Sequence, residues 1–213
     1  MSEQRLAGNG AGLIRERAMA AAVQSALERL YQLDPVADVR AYIQPVTAGR
    51  ESLLVREADD GALELALHIP QLAARDLDLE SGDLDPLCQL IEGVSHFVYI
   101  THRATQQREA TALELELQAE VDKWIVLGAS LSPLDVARSR RLRARLYERV
   151  SFVHENESEL GERYRVANLA AARFVRTLEQ RYLATRRFVE LRQALRVFFR
   201  NGQEDKIRLG RAA

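Results

Sequence analysis

Between Ser158 and Asn201 apolar side chains return at every third or fourth position: Leu160, Tyr164, Ala167, Ala171, Phe174, Leu178 and Tyr182, then Phe188, Leu191, Leu195 and Phe198. Such a stripe is one face of an α-helix. Ser158 supplies an N-cap, Glu159 and Glu162 place acids where the helix dipole favours them, and Asn201-Gly202 gives a C-terminal stop. An unbroken helix across residues 158–200 would be about 64 Å long at roughly 1.5 Å per residue. A compact domain of this size has a radius of gyration of only about 17 Å. The rod must therefore bend, break or project. The stripe loses register from Ala184 to Arg187, which favours a break there. Projection would instead call for a second chain along the helix, so a homodimer is the alternative.

Upstream, Leu13, Met19, Val23, Leu27, Leu30 and Tyr31 mark a first helix over about residues 12–33, stopped at Asp34-Pro35. Residues 1–10, ending in Gly8-Asn9-Gly10, read as a mobile tail. Three β-like runs follow, Val39 to Gln44, Leu53 to Glu57 and Leu63 to Ile69, and Asp59-Asp60-Gly61 between the last two is a tight-turn sequence. Asp85-Pro86 opens a helix through about Glu92, with Gly93 closing it. Over residues 94–101, Phe97, Val98, Tyr99 and Ile100 favour a fourth strand on β propensity, a helix continued through His102 being the alternative. From Gln106 to Leu127 strong helix formers outweigh a period-two alternation, and Leu113, Leu117, Val121 and Trp124 fit a helical stripe. Ser132-Pro133-Leu134-Asp135, with Ser at the N-cap, starts a helix to about Val153 that buries Leu142, Leu146, Val150 and Val153. The expected fold class is α+β and mostly helical: an N-terminal helix, a small antiparallel β-sheet with its hairpin at about residues 52–69, then a bundle of long C-terminal helices.

Charge divides the chain near residue 130. Residues 1–129 hold 21 acids against 11 bases, and residues 130–213 hold 10 against 19, so −10 and +9 nearly cancel. The expected organisation is an acidic α+β domain (1–129) and a basic, Arg-rich helical domain (130–213), either separate or packed as one unit. Only Lys123 and Lys206 among the 30 bases are lysines. Arg138, Arg141, Arg145 and Arg149 form one helical face, and Arg192, Arg196 and Arg200 repeat every fourth residue. Like charges so spaced repel by a few tenths of a kcal/mol, roughly, per pair, so an anion should compensate them. These seven arginines are the candidate anion- or partner-binding residues. A protein partner or a second copy of the chain is the expected partner, with nucleic acid the alternative.

Other chemistry is thin. Gly8-Asn9-Gly10-Ala11-Gly12 lacks the preceding strand that a phosphate-binding glycine loop requires. Cys88, the single cysteine, excludes an intrachain disulfide and sits among apolar neighbours like a small buried hydrophobe. No signal-like or membrane-spanning stretch is present, so a cytoplasmic protein without membrane contact is expected. His96 and His102 stand too far apart, on a strand or on a helix, to share an ion. Glu92 and His96 can share a helical face but lack a partner set. Glu109, Glu116 and Glu120 can align on a face that reads as solvated, or as a dock for the Arg-rich half. Arg149-Val-Ser-Phe-Val-His154 resembles the Arg-x4-His motif of HEPN-type ribonucleases over six residues, with Val150 where that family usually has a polar residue. The resemblance implies Arg149 and His154 acting on a ribose 2′-hydroxyl; the alternative is an Arg on a solvated face and a His near a helix end. No catalytic, cofactor-binding or metal-ligating set is assigned from the sequence. The expected function is a non-enzymatic interaction, regulatory or adaptor protein, and the alternative is nucleic-acid binding through the Arg faces.

Overall fold

The computed structural model describes residues 13–45, 50–57, 63–72, 79, 82–131, 133–149 and 158–211. The first helix, α1, spans Ile14–Tyr31 and ends where Gln32 turns left-handed (φ 57°), its N–H bonding Glu28 O. A short 3₁₀ turn, Val39–Ala41, follows, with the Asp38 side chain accepting from the Arg40 N–H. This turn takes up the start of the run expected as a strand, and only Ile43–Pro45 remains as β1. Strands β2 (Ser52–Glu57) and β3 (Leu63–Ile69) pair antiparallel, with Leu54 opposite Ala66, while the turn expected at Asp59-Asp60-Gly61 lies outside the described residues. β1 pairs with the other edge of β3, and it does so in parallel, Ile43 opposite Leu67. The sheet is therefore mixed rather than antiparallel, in the order β1-β3-β2.

The largest departure from the sequence expectation is α2, a single helix over Asp85–Thr105. Asp85 and Pro86 lie inside its first turn, with Leu84 as the capping position. Gly93 does not end it. A Cβ there would stand 2.6 Å from Leu67 Cδ1, so the glycine admits β3 against the helix. Every residue from Ile91 to Tyr99 is buried, because α1, α3 and the sheet all pack on α2. A helix buried all round shows no amphipathic period, and its β-branched and aromatic residues then imitate a strand.

Thr111 caps α3 (Ala112–Ser130), its side chain accepting from the Glu114 N–H. The next helix, α4, covers Val136–Arg143, with Asp135 rather than Ser132 as its N-cap, and continues into a π-helical turn over Ala144–Glu148. Ser132 lies outside the described residues, and Asp135 accepts from the Arg138 N–H. Capped by Ser158, α5 (Glu159–Leu178) passes into a second π-helical turn, Glu179–Leu183. The chain then turns through Arg186 (φ 56°) into α6 (Phe188–Arg200), so the long rod breaks where its stripe loses register. Beyond Asn201 a further helix, α7 (Gln203–Arg211), packs on α5. The fully buried Lys206 ties α7 to α3: its Nζ donates to Gln118 Oε1 at 2.6 Å and lies 4.3 Å from the Tyr99 ring centroid.

One hydrophobic cluster takes in residues from both sides of position 130, among them Leu117, Val121 and Trp124 with Ala167, Ala171 and Phe174. Among the described residues no helix is long and apolar enough to cross a membrane.

Candidate metal centre

One turn of α2 separates Glu92 from His96, and one turn of α3 separates Glu116 from Glu120, with Lys123 three residues on. The two helices pack against each other and turn these side chains into the interior. Just before β2 lies Glu51, whose N–H donates to Gln89 Oε1 of α2 at 3.0 Å. One donor atom from each of Glu92, His96 and Glu116 lies within 4.8 Å of the other two. His96 Nε2 is 3.9 Å from Glu116 Oε2 and has no hydrogen-bond partner. Glu51 Oε2 is likewise buried without a partner. Lys123 Nζ donates to Glu120 Oε1 at 2.7 Å and to Glu92 Oε2 at 3.1 Å.

Burial governs the electrostatics. It lowers His96, so the imidazole is neutral. Burial, reinforced by Glu92 and then Glu116, pushes the Glu51 carboxyl up to about 9. Burial beside Glu92 likewise pushes Glu116 up to about 8. Glu92 is held below its ordinary value, since burial is outweighed by Lys123 and His96 beside it. Burial opposes the charge on Lys123 too, yet Glu120 and Glu92 hold its ammonium well above the usual range. From α5, Tyr164 is raised by burial and by the charges of Glu116, Glu92 and Glu51, so the hydroxyl stays protonated. Cys88 is pushed up to about 12 by burial, which makes it an inert thiol.

A neutral imidazole with a free Nε2 and carboxylates from two further elements form a donor set for a divalent cation. Oxygen and nitrogen donors at about 2.1 Å from one ion stand roughly 3–4 Å from one another. Separations up to 4.8 Å therefore need only a small contraction of side-chain rotamers.

Glu92 and His96 do share a helical face, as their spacing allows, and Glu116 from α3 brings a third donor atom within 4.8 Å of theirs. The acidic face of α3 is a correction: Glu116 and Glu120 are buried against α2 rather than solvated, and Lys123 is their counter-charge. Glu109 precedes the helix and is exposed, and Glu114 is buried in an ion pair with Arg103. A legible trace existed in the two carboxylate-bearing i,i+4 pairs with one lysine three residues beyond, but nothing in the sequence alone says that they face each other.

The seven candidate arginines do not gather at this centre. Arg141, Arg149, Arg192 and Arg200 are exposed. Arg138 Nη1 donates to Pro133 O at 3.3 Å, Arg145 Nη1 to Leu79 O at 2.6 Å and Arg196 Nε to Leu30 O at 2.7 Å. His154 of the HEPN-like motif lies outside the described residues. His102 is separate from the centre, half-buried against the Phe199 ring.

No protein-family model, curated protein or solved structure matches the chain.

Proposed function

We propose that this protein binds one divalent metal ion between α2 and α3, through Glu92, His96 and Glu116, with Glu51 as a further donor. The observation that carries this reading is the convergence of three buried donors from two helices within 4.8 Å, one of them a histidine nitrogen with no other partner. Buried polar groups are otherwise paired, and a cation supplies the partner that His96 Nε2 lacks. A mixed set of carboxylates and one imidazole suits Mn²⁺, Fe²⁺ or Zn²⁺ better than a thiolate-seeking ion. Three or four protein donors leave a position open, so the ion can act as a Lewis acid on a further ligand. The test is calorimetric titration of chelator-treated protein with Mn²⁺ and Zn²⁺. One equivalent per chain should bind, and Glu116→Gln and His96→Ala should each weaken binding by at least about tenfold. Binding unchanged in both variants sinks the reading.

A second reading, an interaction protein, is supported by the outer face of α6. There Val189 (69% exposed) and Val197 (41%) share the helix with the exposed Arg192 and Arg200, and Val197 lines a groove of about 400 Å³ with Phe174, Tyr182 and Ala194. Apolar residues interleaved with arginine suit a protein surface better than a phosphate backbone. Gel-filtration mass and salt-dependent RNA binding, each compared with Val189→Asp and with Arg192→Glu/Arg200→Glu, separate a protein contact from a nucleic-acid one.

A further inference from the structure

α5 and α6, joined through the turn at residues 184–187, meet where the Phe174 and Phe198 rings stack with centroids 4.4 Å apart. Beside this contact the two helices, with Leu209 of α7, leave the groove of about 400 Å³ whose apolar lining includes Phe174, Leu178, Ala194 and Val197. Roughly 150 Å³ holds one benzene ring, so the groove takes about two or three apolar side chains. A furrow between two helices is the shape into which a third helix lays the side chains it carries at i, i+3, i+4 and i+7. Phe188 and Val189 extend the exposed apolar surface along the first turn of α6.

The charge around the groove has one sign. Residues 173–200 carry eight arginines and two glutamates. Both glutamates are already engaged: Glu179 is buried against Arg143, and Glu190 accepts from Arg187 Nε at 2.9 Å. Arg181 and Arg187 line the groove itself. Arg173 stands four residues before the lining residue Thr177, and Arg200 three residues beyond Val197, so each shares a helical face with the lining. All four arginines are exposed. Among the described residues no hydrogen bond or ion pair engages the guanidinium of Arg173, Arg181 or Arg200. A phosphate backbone would answer these charges but leave the apolar lining in water, and a neutral peptide would fill the lining but leave the guanidinium groups unmatched. Carboxylates flanking apolar anchors satisfy both, since the guanidinium fork fits a carboxylate with two parallel hydrogen bonds.

We infer that the groove between α5 and α6 is the docking site for an acidic amphipathic helix of a partner protein, with apolar anchors against Phe174, Ala194 and Val197 and carboxylates on Arg181 and its neighbours. The inference deepens the second reading above and rests on it.

The experiment pans the full chain against a phage-displayed library of random peptides about 16 residues long, enough for about four helical turns. Val197→Asp and Arg173→Glu/Arg181→Glu, all at exposed positions, are the comparison proteins, with circular dichroism verifying that each is folded. Peptides enriched on wild type should carry Leu, Ile, Phe or Trp at helical spacing together with an excess of Asp and Glu. The best of them, synthesised with a fluorescent label, should bind each variant about tenfold or more weakly than wild type and weaken from about 50 to 200 mM salt. Enriched peptides without excess acid, or binding unchanged in Arg173→Glu/Arg181→Glu, overturn the acidic partner and leave the protein-contact reading standing. If no peptide distinguishes wild type from Val197→Asp, both fall. Two other occupants have their own signatures, and either overturns the inference. One is single-stranded RNA that binds wild type and Val197→Asp alike but not the arginine variant. The other is a second copy of the chain, seen as a dimer mass in gel filtration that Val197→Asp reduces to the monomer.

Discussion

Lys123 Nζ donates to Glu92 Oε2 at 3.1 Å, and the same Glu92 carboxylate is one corner of the triangle that it forms with His96 and Glu116. The ammonium is thus the resident positive charge of a buried acidic cluster. Removing one partner of a buried ion pair leaves the other uncompensated, which costs about 3–5 kcal/mol. Lys123→Met should therefore destabilise the metal-free protein by that amount in urea unfolding. Mn²⁺ should recover a large part of the loss, since a divalent ion restores the missing charge. A variant as stable as wild type would mean that the carboxylates are solvated.

Gly210 sets how closely α7 approaches α5. A Cβ there would lie 2.7 Å from Ala170 O and 3.0 Å from Ala170 Cα, and backbone cannot give way as a side-chain tip can. Gly210→Ala should destabilise the fold by about 1–3 kcal/mol despite the better helix propensity of alanine. Hydrogen exchange localises the effect: amides of α7 should lose protection before those of α2. Equal loss throughout the chain would show that α7 does not open on its own.

Lys206 gives stability a pH dependence with a definite sign. Burial drives its pKa down to about 7, against Asp122 and Glu114, which favour the charged form, and with Arg103, which opposes it. Between that value and the ordinary lysine value of about 10.4 the unfolded chain holds more protons than the folded one. The Lys206 contribution to stability therefore rises with pH through this window, by up to about 1.4 kcal/mol per unit. The stability difference, Lys206→Met minus wild type, should accordingly be largest near pH 6 and shrink toward pH 9 in parallel denaturation curves. A difference that is flat with pH would mean that Lys206 keeps its ordinary pKa in the folded state.

Legibility follows burial and periodicity in this chain. α5, the break at residues 184–187 and α6 were readable because each helix keeps a polar face, and Ser158 accepts from the Gly161 N–H as its cap position implies. α2 was not, because Phe97, Val98 and Tyr99 are buried on all sides and the pattern that separates a helix from a strand is lost. Gly93 read as a stop for the same reason: a glycine required by the contact with Leu67 looks in sequence like one required by a turn. The acids of α3 carried the expectation of solvent, since Glu116 and Glu120 are uncommon in an interior without partners. Lys123 lies on the same helix, but Glu92 and His96, which meet Glu116, come from α2, and only packing brings them together.

Affinity for metal ions should also depend on pH. Burial beside Glu92 keeps Glu116 protonated up to about pH 8 in the metal-free protein, and burial with Glu92 and Glu116 nearby does the same for Glu51 up to about pH 9. A carboxyl must lose its proton before it can ligate, so ion and proton compete for the same oxygens. Below those values each ion bound displaces protons, and apparent Mn²⁺ affinity should rise steadily from pH 6 to pH 8. Calorimetry in buffers of different ionisation enthalpy should register the released protons directly. Glu116→Gln removes one of the competing groups, so its weaker binding should also depend less steeply on pH. A pH slope equal to that of wild type would place Glu116 outside the coordination sphere.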